Sequence, residues 1–558
     1  MAGNVGPAIR RLVLVFLYFV VVGTVAARGY DWAQSRHFNV DELQVAANTA
    51  LWCREAPVEM LNYIEPFQSA LVRLISPSMT TRQVLGTLRT AFLVLLMVNF
   101  GILALGQRAY PTVWGVLAVL VTATLHFPLW LHGFEIRSDV LLLTGNLLLY
   151  AIAARAADSK NPSMASAVAA GVVGGMMQAT ASKSVVYWGP FALLTVVVVS
   201  LAEDRSKRSW FALRSGAAAG CGVVAGAAAA LACLIPDGML MPFLQGLRAF
   251  YGVASQSSRF SALPSLSDLA TQAPAVFVLA VLQTIVTLFT IANRSARGRQ
   301  VVTSLFFVWS VVALLLNPTP FGYNTIHAAA FSCIAVTELF AATGFLKGSH
   351  LVCAFAGLWA VQALDMTRDA ALPYARMTNQ LQLGSAELAE FYTGPDDPVY
   401  DGVGLVVSRN PPQPGWMMHS LLPNMGANRR VFDTPPPVVI TNHRWHWLPS
   451  ELRESIERKY VSLTPAVWVL GARGPCGVAE VEIERPGRYY AAIRGPDAAL
   501  QIDGTVVPSD GVVPLKHGKH RIRCPASSEY SLQWLGPTGT PMPTARAVFG
   551  SQLVFLTR

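Results

Sequence analysis

Apolar runs near 20 residues long recur through the first two thirds of the chain and cease near residue 365. A run of that length crosses the hydrocarbon core of a bilayer as a helix. The pattern predicts a polytopic α-helical membrane protein with about eleven crossings, at roughly 11–29, 84–106, 110–130, 138–156, 164–180, 184–202, 214–235, 271–292, 300–316, 324–345 and 349–365. Arg10 and Arg11 precede the first run, as in a signal peptide, and VAARGY offers a small-residue cleavage site. Because further spans follow, the run is read as a retained transmembrane helix. Lys183 interrupts the stretch 164–202, which would be about 58 Å long as one helix, far more than a bilayer needs. Two helices joined by a turn at Gln178 to Ser184 fit better.

Beyond residue 366 the pattern changes. Pro, Gly and charged residues rise, and periods near 2 replace the long runs. Residues 366–475 read as an α/β region: a helix over Leu372 to Phe391, strands at Val403–Val407, Val438–Thr441 and Ala466–Leu470, and a helix from Pro449 to Tyr460. Residues 476–558 read as a β-sandwich of short strands between Gly/Pro turns: VAEVEIE, RYYAAIRG, ALQIDG, HRIRC, YSLQWLG and QLVFL. The division is thus 1–365 membrane module, 366–475 α/β and 476–558 β-sandwich-like. The first long loop, about 30–83, carries an amphipathic pattern at Leu43, Ala46, Ala47, Ala50 and Leu51, and a second at Val58, Leu61, Ile64, Phe67, Leu71 and Ile75. The loop 236–270 reads as a lid or a connector.

Composition agrees. The 558 residues are 53% hydrophobic and 13% charged, with a mean hydropathy of +0.43; a soluble domain carries about 25% charged residues. The net charge of +10 does not form a nucleic-acid surface, because no aromatic-basic interleaving accompanies it, and no nucleic-acid partner is expected. It falls instead in alternate loops: Arg10 and Arg11; Arg108; Arg155 and Lys160; Arg205, Lys207, Arg208 and Arg214; Arg294, Arg297 and Arg299; Lys347. By the positive-inside rule these loops are cytoplasmic. With the N-terminus inside and an odd number of crossings, the C-terminal region lies outside, in the periplasm of a bacterial inner membrane. Cys476 and Cys524 then share an oxidising compartment and suggest a disulfide.

The same topology gathers four polar segments at the outer face. The first is Arg36 to Trp52, RHFNVDELQVAANTALW, with the adjacent acids Asp41 and Glu42. These suit either a general base or the first turn of a helix capped by Asn39. The second is HGFEIRSD, residues 132–139, in which Glu135, Arg137 and Asp139 alternate and would face one way in an extended segment. Membrane anchoring is the simpler role for such charges; orienting a sugar or an anionic head group is the functional one. The third is Lys183, which either snorkels or meets an anion such as phosphate. The fourth is NPTPFGYNTIH, leading into the tenth span, where Tyr323, Asn324 and His327 either cap a helix or meet a head group. His443 with His446, and His517 with His520, lack a third ligand and read as surface or packing histidines. No convincing metal site is visible, and no Walker loop, GxSxG or GxGxxG motif occurs in the required context.

An acid pair after the first span, an E-x-R-x-D loop after the third, a Lys between the fifth and sixth, a Pro/Tyr-containing lead into a late span and an outer C-terminal region together resemble the GT-C superfamily. The resemblance is to the protein O-mannosyltransferase and aminoarabinose transferase family, over roughly residues 10–365. It implies a glycosyltransferase that takes one sugar from a polyprenyl-phosphate donor to a lipid, glycan or protein acceptor, with membrane lipid around it. It further implies Asp41 as general base, Glu42 as its partner or substitute, Arg137 and Lys183 as cations for the phosphate, Glu135 and Asp139 as positioning groups, and Tyr323 and His327 near the donor. Some superfamily members use a divalent metal. Two other readings stay open from the residues alone: a lipid-linked sugar flippase, with charges lining a path, and a non-catalytic scaffold displaying a glycan-binding C-terminal domain.

Overall fold

The computed structural model describes residues 23, 26–27, 29–55, 65–106, 126–158, 164–181, 184, 186–187, 205–235, 241, 262–293, 298–317, 322–342, 378–412, 434–442, 445, 448–494, 499–508 and 510–539. Among these, helices appear in the order α1 (Val40–Cys53), α2 (Phe67–Val72), α3 (Thr81–Gly106), α4 (Phe127–His132), α5 (Ser138–Asp158), α6 (Met164–Thr180), α7 (Arg205–Leu234), α8 (Leu263–Gln272), α9 (Pro274–Ala292), α10 (Gly298–Leu316), α11 (Ile326–Ala342), α12 (Gln380–Phe391) and α13 (Ser450–Lys459). Stretches within α3, α5, α7, α9 and α10 are long and apolar enough to cross a membrane, and α6 is a shorter apolar helix. The expected spans 110–130, 184–202 and 349–365, most of 11–29, and the Val58–Ile64 pattern fall largely or wholly outside the described residues.

The outward faces identify the solvent. On α9 the buried positions are Val276, Ala280, Gln283 and Thr287, while Val278, Leu282, Ile285, Leu288 and Phe289 are exposed. Ser304 of α10 donates toward Gln283 Oε1 at 2.8 Å and Thr287 Oγ1 at 2.9 Å. Polar groups satisfied inside and large apolar groups outside is the arrangement that lipid selects.

α6 and α7 approach through glycine. A Cβ at Gly171 would lie 2.1 Å from the Ala219 carbonyl oxygen, and one at Gly175 2.1 Å from that of Val223; Gly222 and Gly226 face Val168 and Val172 as closely. Two small-xxx-small faces thus pack together. The contacts advance in the same direction on both helices, so α6 and α7 run parallel.

Three helix starts differ from the pattern's expectation. The run expected from residue 271 is two helices, because Ala273 is non-helical and Pro274 opens α9. A 3-10 turn, Gly322–Thr325, precedes α11. The C-terminal helix is described from Gln380 rather than Leu372.

The C-terminal region holds two sheets. One has the order β1-β2-β4-β11-β6-β9, with β3 also paired to β4; its strands are β1 (Val399–Tyr400), β2 (Val438–Ile440), β3 (Tyr460–Ser462), β4 (Val467–Pro475), β6 (Gly487–Arg494), β9 (Gly511–Leu515) and β11 (Glu529–Trp534). The other, β5-β10-β7-β8, is built from β5 (Val478–Ile483), β7 (Leu500–Ile502), β8 (Thr505–Val507) and β10 (Gly518–Arg523). They share one core, which includes Leu470, Tyr489, Leu532 and Trp534 from the first sheet and Ile483, Ile502 and Ile522 from the second.

The structure corrects the expected division at 475/476. β4 ends at Pro475 and pairs antiparallel with β11, so one sheet runs through that point. Val403–Val407 is not a strand. The chain instead wraps the buried Asp401 carboxylate, which accepts from the amides of Val403, Gly404 and Val406 at 2.7–2.9 Å. Gly402 and Gly404 supply the positive φ angles that this turn needs. β9 escaped the pattern because it contains Pro514, which the sheet's edge tolerates. Cys476 and Cys524 are joined by a disulfide between the ends of β4 and β10.

The membrane module and the sheet region meet in one apolar cluster. Leu43, Ala46, Ala47 and Ala50 of α1 belong to the same core as Leu405, Val407, Val438, Ile440, Val467 and Val469. β2 turns Val438 and Ile440 to this side and Val439 to the sandwich core, as strand alternation dictates.

The α6–α7 contact yields a test. Gly175→Leu should lower stability in detergent by about 1–3 kcal/mol, since the new side chain has no room against the Val223 carbonyl. A thermal unfolding midpoint equal to wild type would contradict the close approach.

Candidate active site

The site forms at the end of the bundle where α3, α5 and α11 begin. Its foundation is Arg89, an arginine of α3 with no solvent exposure. A guanidinium has five N–H donors, and all five are used. Nε and Nη2 donate to Glu42 Oε1 and Oε2 at 3.1 and 2.9 Å. Nη1 donates to the carbonyls of Ala33, at 2.9 Å, and Arg36; Nη2 also donates to that of His37 at 2.9 Å. The guanidinium lies 3.7 Å over the Phe38 ring. Arg89 thereby moulds residues 33–42 around itself.

Glu42 is equally committed. Beyond Arg89 it accepts from the Asn39 amide at 3.0 Å and the Ile136 amide at 3.2 Å. The first contact is half of a capping box, whose other half is the Asn39 side chain accepting from the Glu42 amide; Asn39 Oδ1 also accepts from the Asp41 amide at 3.1 Å. Glu42 is fully buried among these partners.

Successive helical residues point about 100° apart. With Glu42 turned inward, Asp41 faces the neighbouring loop. Arg137 Nη1 donates to Asp41 Oδ2 at 2.8 Å, and the Asp41 side chain keeps about a third of its surface exposed. The Arg137 guanidinium stacks on the Tyr323 ring, 3.1 Å from its centroid, and its Nε lies 3.5 Å from Asp139 Oδ2. Asp139 Oδ1 accepts from Asn324 Nδ2 at 3.0 Å. Asp41, Arg137, Asp139, Tyr323 and Asn324 therefore come together from three segments distant in sequence.

Glu135 does not join them on that face. Residues 135–137 bend rather than extend, and Glu135 turns to Arg36 Nη2 at 2.9 Å and His132 Nδ1 at 2.9 Å. Burial opposes its ionisation, yet His132, Arg36 and Arg137 hold its carboxyl down at about 2. His132 in turn faces Gly322, where a Cβ would lie 3.2 Å from its Nε2. His327 sits deeper, inside the bundle, hydrogen-bonded to Asn146 at 3.0 Å and stacked on Tyr187 at 4.1 Å. Lys183, His443 and His446 lie outside the described residues. His517 and His520 serve local contacts, the former to the Glu484 carbonyl and the latter to Asp503 and the Lys516 carbonyl.

Sequence reasoning passed over Arg36, Arg89 and Gln382. An arginine inside an apolar helix was itself a signal, since such a charge must find partners. No signal in the sequence marked Gln382.

Among the described residues no three His, Cys, Asp or Glu side chains gather as metal ligands. Asp41 and Asp139 both turn toward Arg137.

Neither models of known protein families nor curated protein sequences match this chain. Solved structures do. ArnT from Cupriavidus metallidurans in the apo state superposes with a TM-score of 0.55 at 12% identity, over 81% of this chain and 98% of that chain. ArnT from the same organism bound to undecaprenyl phosphate gives 0.52 at 11% identity, over 81% and 97%. The chain has the ArnT fold.

Two outcomes test the ionic foundation. Glu42→Gln leaves the buried Arg89 charge uncompensated and should cost about 3–5 kcal/mol of stability in detergent unfolding. Glu135 has a depressed folded-state pKa, so its ionised form stabilises the fold above about 4.5, and the contribution fades as pH falls toward about 2. The stability gap between wild type and Glu135→Gln should therefore be widest above pH 4.5 and close on acidification; a gap independent of pH would refute the assignment.

Proposed function

We propose that the chain is a GT-C glycosyltransferase that moves one sugar from a polyprenyl-phosphate donor to a lipid, polysaccharide or protein acceptor at the periplasmic face of a bacterial inner membrane. The observation that carries this reading is the Asp41–Arg137 pair, buried on the arginine side and partly open to solvent at Asp41, at one end of an ArnT fold. ArnT itself has been seen with undecaprenyl phosphate. The opposite end of the bundle carries Arg155 and Arg299. There Arg299 meets Asp158 at 3.5 Å and Glu338 at 2.7 Å, and the positive-inside rule assigns such an end to the cytoplasm.

In the proposed reaction an acceptor hydroxyl oxygen forms a bond to the anomeric carbon. The bond from that carbon to the phosphate oxygen breaks, and its electron pair leaves with the polyprenyl phosphate. Asp41 takes the hydroxyl proton, a role that asks only for a positioned carboxylate within hydrogen-bond reach. Displacement in one step inverts the anomeric centre. Charge grows on the departing phosphate, so a fixed cation beside it stabilises the transition state more than the ground state. Arg137 supplies that cation, held edgewise by Asp41 and face-on by Tyr323. Asp139 and Asn324 support it from below and border the sugar. Lys183 is a second cation for the phosphate. Glu135 acts at one remove, by fixing the loop that bears Arg137.

Two substitutions separate the roles. In membranes supplied with a labelled polyprenyl-phosphate sugar, Asp41→Asn should reduce transfer by about 10²–10⁴-fold, and Arg137→Gln by about 10²–10³-fold, with both proteins folded. Full transfer by Asp41→Asn would remove it as the base. Absence of transfer by abundant folded wild type, with every donor tried, would overturn the enzyme reading.

A further inference from the structure

The C-terminal region meets the membrane module next to the acid pair. Residues 34–38 and 378–382 lie antiparallel, with a β-bridge between Arg36 and Thr378. The Asn379 amide donates to the Ser35 carbonyl at 2.8 Å, and its Nδ2 donates to the Gln34 carbonyl at 2.6 Å. The Phe38 amide donates to Gln382 Oε1 at 2.7 Å, and Gln382 Nε2 donates back to the Phe38 carbonyl at 3.0 Å. One side-chain amide thus satisfies both backbone groups of one residue, as a neighbouring strand would. Gln382 is fully buried.

We propose that residues 378–382 are a clamp that sets the position of Asp41, with Gln382 and Asn379 as positioning residues; this rests on the reading of Asp41 as the base. The linkage is short. Gln382 fixes Phe38, Phe38 is the platform under Arg89, and Arg89 holds Glu42, the residue next to Asp41. Buried backbone groups must be paired, so loss of Gln382 strands the Phe38 amide and carbonyl one residue before the Asn39 cap. The far end of α1 is gripped from the same region: Arg54 donates to the carbonyls of Val407 and Arg409 at 2.8 and 3.2 Å. Between them Gly404, at φ +79°, lies where a Cβ would come within 3.0 Å of Ala47 Cβ. The C-terminal region is in this view a component of the active site's geometry and not a separable glycan-binding module.

The exposed Arg82–Glu387 ion pair joins α3 to α12 at the same interface but touches no residue of 34–42, which makes Glu387→Ala the control. Full-length wild type, Gln382→Ala and Glu387→Ala would be compared for transfer from a labelled polyprenyl-phosphate sugar and for amide hydrogen exchange in residues 34–42. Gln382→Ala should lower kcat by about tenfold or more, since misplacement of a reacting group is costly. It should leave the donor KM within about twofold and speed exchange at Phe38, while Glu387→Ala matches wild type. Wild-type kcat and exchange in Gln382→Ala would overturn the clamp. Equal losses in both variants would also overturn it, by showing that domain docking alone matters. If wild type transfers no sugar, the proposed function fails, and exchange alone judges the clamp: unaltered protection of Phe38 refutes it, and selective loss upholds it as a structural device. If Gln382→Ala does not fold, Asn379→Ala, which removes a single side-chain bond, takes its place with the same readings.

Discussion

A buried guanidinium governs this end of the molecule. Arg89 cannot lose its charge and cannot reach water, so every N–H must find an acceptor within the protein. The acceptors are three carbonyls and one carboxylate from residues 33–42. The segment that follows the first span therefore has little freedom: the charge dictates how its backbone curls and which residue of the acid pair turns inward.

From this constraint the division of labour among the acids follows. Glu42 and Glu135 are drawn into the buried network of Arg89, Arg36 and His132. Asp41 and Asp139 are left on the other side of the same two segments, and both address Arg137. Each pair of acids is close in sequence, yet one member of each builds the scaffold and the other meets Arg137. The scaffold members are buried. Asp41, the outermost, retains contact with solvent.

The C-terminal region extends the same logic. Its residues close the apolar cluster over α1 and supply the backbone partners that residues 34–38 lack within their own segment. The continuous sheet from β1 to β9 makes that region a rigid wall, and the disulfide between Cys476 and Cys524 ties its two sheets together. Asp41, placed between the helical bundle and the sheet region, has its position set by both parts, and neither alone defines it.

The apolar periods along the chain determined the helices and most of the strands, because burial in lipid or in a sandwich core imposes a local repeat that each segment carries by itself. The alternation of basic loops pointed to polar segments sharing a face, and among the described residues Asp41, Arg137, Asp139 and Tyr323 come together. The periods were blind to what depends on partners far along the chain. Glu42 and Asp41 look alike in sequence and differ only because Arg89 stands 47 positions beyond Glu42. Glu135, Arg137 and Asp139 alternate, yet the bend at 135–137 sends them to different partners. Val403–Val407 has the composition of a strand, but the buried Asp401 carboxylate recruits its amides into a loop. Gln382 gains its place from Phe38, 344 positions away. Local periodicity reports which face of a segment is buried, whereas the pairing of buried polar groups is settled only when distant segments are brought within hydrogen-bond reach.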